Sequence, residues 1–239
     1  MQPEAARFAY AARAVFGSGV DRPPIRNREG VGSSMGSIVV GIAGGSASGK
    51  STVVRELARI LGDGRATVLS HDAYYYDLSH MPMEQRIEVN VDHPDSLETT
   101  LLVDHIGILR AGRAVEMPDY DYVSQTRAAA GLHVAPAPVI VVEGMLTLHE
   151  RRLRELMDLR VFIDTTSEER LTRRIARDTV ERGRKRAVVE DQHARRVQPM
   201  HDMFVEPSRA HADVLLTGGG HNQEAIQSLA DRVLRLLAG

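Results

Sequence analysis

Gly44-Gly45-Ser46-Ala47-Ser48-Gly49-Lys50-Ser51-Thr52 is the stretch on which the reading of this 239-residue chain turns. It matches the spacing G-x-x-x-x-G-K-[ST] in full. Before it stands Ile38-Val39-Val40-Gly41-Ile42-Ala43, an apolar run that predicts a strand buried on both faces. After it, Lys50 to Leu61 sets Val53, Val54, Leu57, Ile60 and Leu61 on one side of a predicted helix. Between a strand and a helix, the glycines let several backbone N–H groups converge on one anion. The helix adds the positive end of its dipole. Lys50 reaches β- and γ-phosphates, and the Ser51 hydroxyl can ligate Mg²⁺. All nine residues are therefore candidates for a nucleotide site. A chance Gly/Ser loop would not bring both flanks with it.

Outward from this loop, strands alternate with helices. Ala66–Ser70, Val139–Val142, Leu159–Asp164 and Val214–Leu216 read as further strands, and Leu97–Ala111 as an amphipathic helix stopped by Gly112. Helices are expected at about 167–182, 187–206 and 223–237. Ala114–Val123 and Gly131–Val134 suggest a small β-hairpin lobe spanning about 113–135. The pattern predicts an α/β fold with a mainly parallel sheet flanked by helices. Residues 35–239 read as one domain, while residues 1–34 have a loop-like composition. They read as a disordered extension, or as the product of a start placed before the true one at Met35.

Composition excludes several classes. There are no cysteines, so disulfides, thiolate zinc sites and a cysteine nucleophile are ruled out, and nothing contradicts a cytoplasmic location. No apolar run approaches the ~20 residues that cross a bilayer. The formal net charge is -2, which argues against a global grip on nucleic acid. The ten histidines form no metal-spaced pair. Of the 30 basic residues only Lys50 and Lys185 are lysine, and neither belongs to an N-K-x-D guanine reader, which disfavours a GTPase switch. The bias toward arginine spared Lys50, where a compact ammonium fits a tight loop and an arginine fork does not.

Three further regions carry chemistry. Glu143 closes a buried strand at the end where an open α/β sheet binds ligands. It can hold Mg²⁺ there, or merely cap the next helix. Asp72 leads into Tyr74-Tyr75-Tyr76, three of the chain's six tyrosines, at least one of which should border a cleft. Asp92 and Asp95, then Asp119-Tyr120-Asp121-Tyr122, add carboxylates that can bind sugar hydroxyls and rings that can stack on a base, or else occupy solvated turns. Finally, Arg170, Arg173, Arg174 and Arg177 share one helix face, and residues 170–196 hold nine arginines and one lysine against four acids. This is either a solvated face or a lid over transferring phosphate. RNA binding would need interleaved aromatics, which this segment lacks.

Taken in order, these features resemble the uridine kinase (uridine–cytidine kinase) family. The resemblance rests on 44–51, Asp72 with Tyr74-Tyr75, Asp77 to Glu84, Val91-Asp92-His93-Pro94-Asp95, Tyr120-Asp121-Tyr122, and Val142-Glu143-Gly144. It extends through Arg173 to Asp178, Glu181 to Arg184, Pro199-Met200-His201 and Phe204 to Pro207. It implies a P-loop kinase domain with an arginine-rich helical lid at about 170–196. It also implies transfer of the γ-phosphoryl of ATP, with GTP as an alternative donor, to the 5′-hydroxyl of uridine or cytidine, with Mg²⁺. Asp72 would be the general base, assisted by Lys50 and Arg177. Ser51, Asp72 and Glu143 would hold the metal, and Arg177, Arg182 and Arg184 the phosphates. Asp92, Tyr75, Arg174 and Gln192 would bind the ribose, and Tyr120 would pack on the pyrimidine. A homotetramer and inhibition by CTP or UTP are further implications.

The chain departs from the family at Gln125, where a His usually reads the pyrimidine edge. It departs also at Ala73 for the usual Ser and at Val91 for the usual Phe. A carboxamide can donate and accept, so Gln125 could read either ring. Two other readings stay open. One is a kinase of the same fold with another small acceptor, such as a sugar phosphate or pantothenate. The other is a catalytically silent nucleotide-binding regulator.

Overall fold

A computed structural model describes residues 36–239. The expectation for residues 1–34, and Met35 as a start, lies outside the described residues. Strand β1 (Ile38–Gly44) leads through the glycine-rich loop into α1 (Lys50–Leu61), followed by β2 (Ala66–Ser70). Three single turns, His71–Tyr74, Met83–Arg86 and Pro94–Ser96, precede α2 (Thr99–Arg110). Short strands β3 (Val115–Met117), β4 (Tyr120–Asp121), β5 (Thr126–Arg127) and β6 (Leu132–Val134) form the lobe. Then come β7 (Val139–Glu143), α3 (Arg151–Leu156), β8 (Leu159–Asp164) and α4 (Ser167–Glu181). A long helix α5 (186–208), strand β9 (Val214–Thr217) and helix α6 (Gln223–Ala238) complete the chain.

The central sheet has the order β2-β7-β1-β8-β9, and every pairing in it is parallel. β1 lies in its centre, which explains why its sequence is apolar throughout. Successive side chains point to opposite faces, and both faces are covered. Val40 and Ile42 pack with Val53, Leu57, Ile226 and Leu229 beneath α1 and α6. Val39 packs with Leu102, Ile106, Leu109 and Leu153 on the α2 and α3 side. The result is three layers, α/β/α. All the strands end on one edge, where the loops after β1, β2 and β7 meet.

The lobe differs from a single hairpin. β3 pairs with β6, and β4 separately with β5, because Pro118 and Asp119 break the outgoing arm. Helix α2 begins two residues later than its apolar pattern suggests. Leu97 is held as a bridge partner of Tyr75, and the Glu98 N–H donates to the Tyr74 carbonyl at 2.8 Å. Helix α5 widens into π-type turns at His193–Val197 and His201–Val205.

His71, wholly buried behind the loop after β2, faces Thr99 Oγ1 at 3.1 Å through Nε2. Burial pushes its imidazole down to about 3. Unfolding would let it protonate near its ordinary value, so the unfolded chain binds more protons between those two values and stability falls on acidification. We expect this group to cost about 2 kcal/mol between pH 6.5 and 4.5. In urea titrations at the two pH values, His71→Gln should flatten that slope. An equally steep slope would contradict the assignment.

Candidate active site

The loop after β1 is shaped by its backbone. Gly49 adopts φ 99°, a left-handed conformation that glycine enters without strain, and it caps α1. Lys50 folds back into the loop, and its Nζ donates to the carbonyls of Gly44 (3.0 Å) and Gly45 (3.1 Å). Ser46, Ala47, Gly49, Lys50, Ser51 and Thr52 line a cleft of about 1180 Å³. That is larger than an ordinary single-ligand pocket, and it suits two substrates side by side. Gly44, Gly45 and Ser48 do not face the cleft. They frame the loop, with Ser48 fully buried.

Asp72 and Glu143 enter the same cleft from the ends of β2 and β7. Glu143 Oε1 accepts from Ser70 Oγ at 2.9 Å, and it does not cap the next helix, whose N-cap is Glu150. The glycine after it is required. A Cβ at Gly144 would sit 2.7 Å from the Cβ of His71 and 3.2 Å from Asp72 Oδ1. Burial raises the proton affinity of Asp72, opposed first by Lys50 and then by the Met145 N–H. Burial and the charge of Asp72 together raise Glu143. Burial lowers Lys50, and the two carboxylates pull it back up. Asp72 Oδ1 is buried without a hydrogen-bond partner. The buried Glu143 carboxylate and the half-buried Asp72 carboxylate, with its orphaned Oδ1, lie in the field of the Lys50 ammonium and share a cleft with the Ser51 hydroxyl, a hard oxygen donor set that fits Mg²⁺.

The three consecutive tyrosines separate as chain geometry requires. Tyr74 points into the core, with its hydroxyl 2.9 Å from His105 Nδ1. Tyr76 is half exposed, and Tyr75 lines the cleft. Tyr75 meets Tyr120 at a ring-centroid distance of 5.3 Å, and Tyr122 stands edge-on to both. Burial drives the Tyr75 hydroxyl well above its ordinary range, and the carboxylates of Asp72 and Asp92 drive it further. Asp92 faces the same space, raised by burial and drawn down by Arg174. Gln125 turns the β4–β5 connection with φ 56°, and its Oε1 is buried without a partner. The Tyr120 hydroxyl is likewise unpartnered.

The arginine face of α4 is not a solvated face. Arg170 and Arg174 are 3% and 8% exposed. Arg174 Nη1 donates to Ser46 Oγ at 3.1 Å, and Arg173 Nη1 to the Ser48 carbonyl at 3.3 Å. Arg177, Arg182, Arg184 and Gln192 also line the cleft. The structure thus brings Ser51, Asp72, Glu143, Tyr75, Asp92, Tyr120 and Gln125 to one cleft with Arg173, Arg174, Arg177, Arg182, Arg184 and Gln192, whereas Arg170, Asp95, Asp119 and Asp121 do not line it. Sequence reasoning passed over Asp178, around which the lid arginines collect, and Arg127. The Arg127 Nε and Nη2 donate to the carbonyls of Tyr75 (2.8 Å) and Tyr74 (3.0 Å), while Nη1 meets Glu98 at 2.7 Å. Its backbone N–H donates to Asp77 Oδ1 at 3.0 Å, so one residue ties the lobe to the segment following Asp72.

Comparison with known proteins gives the family and the fold. The profile of the Phosphoribulokinase / Uridine kinase family matches residues 39–225. The chain is 45% identical over 196 residues to a uridine kinase of Chloroflexus aurantiacus, covering 82% of this chain and 94% of that one. It is 43% identical over 200 residues to a uridine kinase of a Geobacillus species, covering 84% and 95%. Among solved structures, D-glycerate 3-kinase from Cryptococcus neoformans superposes with a TM-score of 0.55 at 16% identity, covering 76% and 82%. A structure described as a possible uridine kinase from Bacillus stearothermophilus gives a TM-score of 0.53 at 17% identity, covering 88% and 97%. At such identities the structural likeness concerns the fold alone.

Proposed function

The chain belongs to the phosphoribulokinase/uridine kinase family and is a kinase, and from that premise we propose that it phosphorylates the 5′-hydroxyl of uridine, and of cytidine, with ATP. The observation that carries the acceptor assignment is the composition of the far wall. A sugar phosphate would need a basic subsite beside Asp92, whereas this wall offers the half-buried Asp92 and the rings of Tyr75, Tyr120 and Tyr122. Carboxylates bind ribose hydroxyls, and aromatic rings pack on a pyrimidine. The uridine kinases of Chloroflexus aurantiacus and of the Geobacillus species are matched over 94% and 95% of their own length.

The reaction divides among the residues as follows. The loop from Gly44 to Thr52 cradles the donor phosphates with backbone N–H groups, and Lys50 leaves its carbonyl partners for the β- and γ-phosphates. Arg177, Arg182 and Arg184 neutralise charge on the transferring group. Ser51, Asp72 and Glu143 would hold Mg²⁺. When bound, the metal would supply positive charge to offset that of the phosphates. Asp92 holds the ribose, with Tyr75, Arg174 and Gln192 around it. Tyr120 packs on the base, and Gln125 meets its edge. The O5′–P bond forms as the bond from the γ-phosphorus to the β–γ bridging oxygen breaks, and the 5′-hydroxyl proton passes to Asp72. An ordinary aspartate is a weak base toward an alcohol, so Asp72 orients the hydroxyl first and takes the proton late. The raised proton affinity that burial gives its carboxyl favours this role.

No helix among the described residues is long and apolar enough to cross a membrane. Work in the cytoplasm as a homotetramer, with GTP as a second donor, completes the reading.

Release of ADP from Mg-ATP, measured with uridine, cytidine or neither, tests this function. We expect release with either nucleoside and little without one, because the Gln125 carboxamide can donate or accept. Gln125→His should alter the ratio of the two kcat/KM values with little change in the KM for ATP. ATP binding without release in the presence of either nucleoside would favour the silent regulator or another acceptor.

A further inference from the structure

Asp178 lies on the last turns of α4, where neither local preference favours it. Aspartate is a poor helix former, and a negative charge near a helix C-terminus opposes the dipole. Its side chain is nevertheless completely buried. Four guanidiniums surround it. Arg177 Nε lies at 2.8 Å, Arg184 Nη1 at 3.3 Å, Arg182 Nη1 at 3.5 Å and Arg174 Nε at 3.8 Å. Three of these arginines hold a second contact, each on a different wall of the cleft. Arg174 reaches Ser46 in the phosphate loop at 3.1 Å. Arg184 reaches Gln192 on α5 at 3.2 Å. Arg182 lies over the ring of Tyr122 in the lobe, 5.5 Å from its centroid. The backbone of Asp178 works in the same direction. Its carbonyl accepts from the N–H groups of Arg182 (3.3 Å) and Arg184 (3.1 Å), setting the turn through Gly183.

We propose that Asp178 is the positioning residue of the lid: a permanent internal anion that gathers four arginines before any phosphate arrives and aims them at the donor and acceptor sides together. Four like charges this close repel one another, so without the carboxylate they would spread toward solvent. With it they stay converged at low reorganisation cost when the transferring group gains charge. Burial pushes the Asp178 carboxyl up, but Arg177, Arg182 and Arg174 outweigh it and hold the group below its ordinary range, so it stays ionised at neutral pH. The role rests on the kinase reading for its consequence and on geometry for its mechanism.

Asp178→Asn preserves shape and the two backbone bonds and removes only the charge. In the ligand-free protein, we expect tryptic cleavage at residues 182–186 to accelerate at least ~10-fold and inorganic pyrophosphate to slow it again. In the kinase assay, kcat per active site should fall at least ~30-fold, while the Kd for ADP, held mainly by the phosphate loop, changes less than ~3-fold. Asp178→Glu should restore slow cleavage and part of kcat. Unchanged cleavage in Asp178→Asn would overturn the positioning role, as would a kcat within ~3-fold of the parent or an equal loss of ADP affinity. Absence of nucleoside-dependent turnover in the parent would instead refute the kinase reading, and the cleavage measurement would still decide the role of Asp178.

Discussion

Asp72→Asn is expected to lower kcat at least ~100-fold while leaving ATP affinity nearly unchanged. Asparagine keeps the size of the side chain and can still meet the 5′-hydroxyl, but it cannot accept its proton. The site offers no obvious substitute. Glu143 is already engaged by Ser70, and Asp92 lies on the ribose side of the cleft. ATP binding should persist because the loop from Gly44 to Thr52 holds the phosphates through its backbone. Stopped-flow or quench measurements of kcat, together with equilibrium binding of ATP, separate the two effects. Turnover within a few-fold of the parent would remove Asp72 from the reaction.

Lys50→Arg is expected to abolish most activity, roughly 1000-fold in kcat, although the charge is kept. Lys50 is 7% exposed, and its ammonium sits between two carbonyls of its own loop, at 3.0 and 3.1 Å. A guanidinium is longer, planar and broad, and it cannot pivot from those carbonyls to a phosphate within the same space. The substitution also tests why this arginine-rich chain keeps a lysine here. Steady-state kinetics with a matched thermal melt would check it, and activity within ~10-fold of the parent would show that charge alone suffices.

The parts of the molecule written in local pattern were legible in the sequence. The runs of β1, β2 and β8 and the stripe of α1 lie where their apolar periods place them, because both faces of the sheet are covered. The loop between β1 and α1 carries its chemistry in its spacing. Features set by contacts distant in sequence were not legible. The start of α2 depends on Tyr74 and Tyr75, some 24 residues earlier. The split of the lobe into two ribbons depends on which arms find each other. Asp178 looked like one acid subtracted from a basic segment, since counting charge along a helix cannot say which side chains are buried together. Arg127 carried no signal at all, because its partners, the Tyr74 and Tyr75 carbonyls and the carboxylates of Asp77 and Glu98, lie far from it in sequence. The alternative of a solvated arginine face failed for the same reason, since α4 packs its arginines against the phosphate loop.

The most direct test of the central claim is to follow the label from γ-³²P-ATP in the presence of Mg²⁺ and uridine. Label should appear in a nucleoside monophosphate from which a 5′-nucleotidase releases it, and Asp72→Asn should abolish the transfer. Label confined to inorganic phosphate, or carried to a position that a 5′-nucleotidase cannot open, would contradict the account.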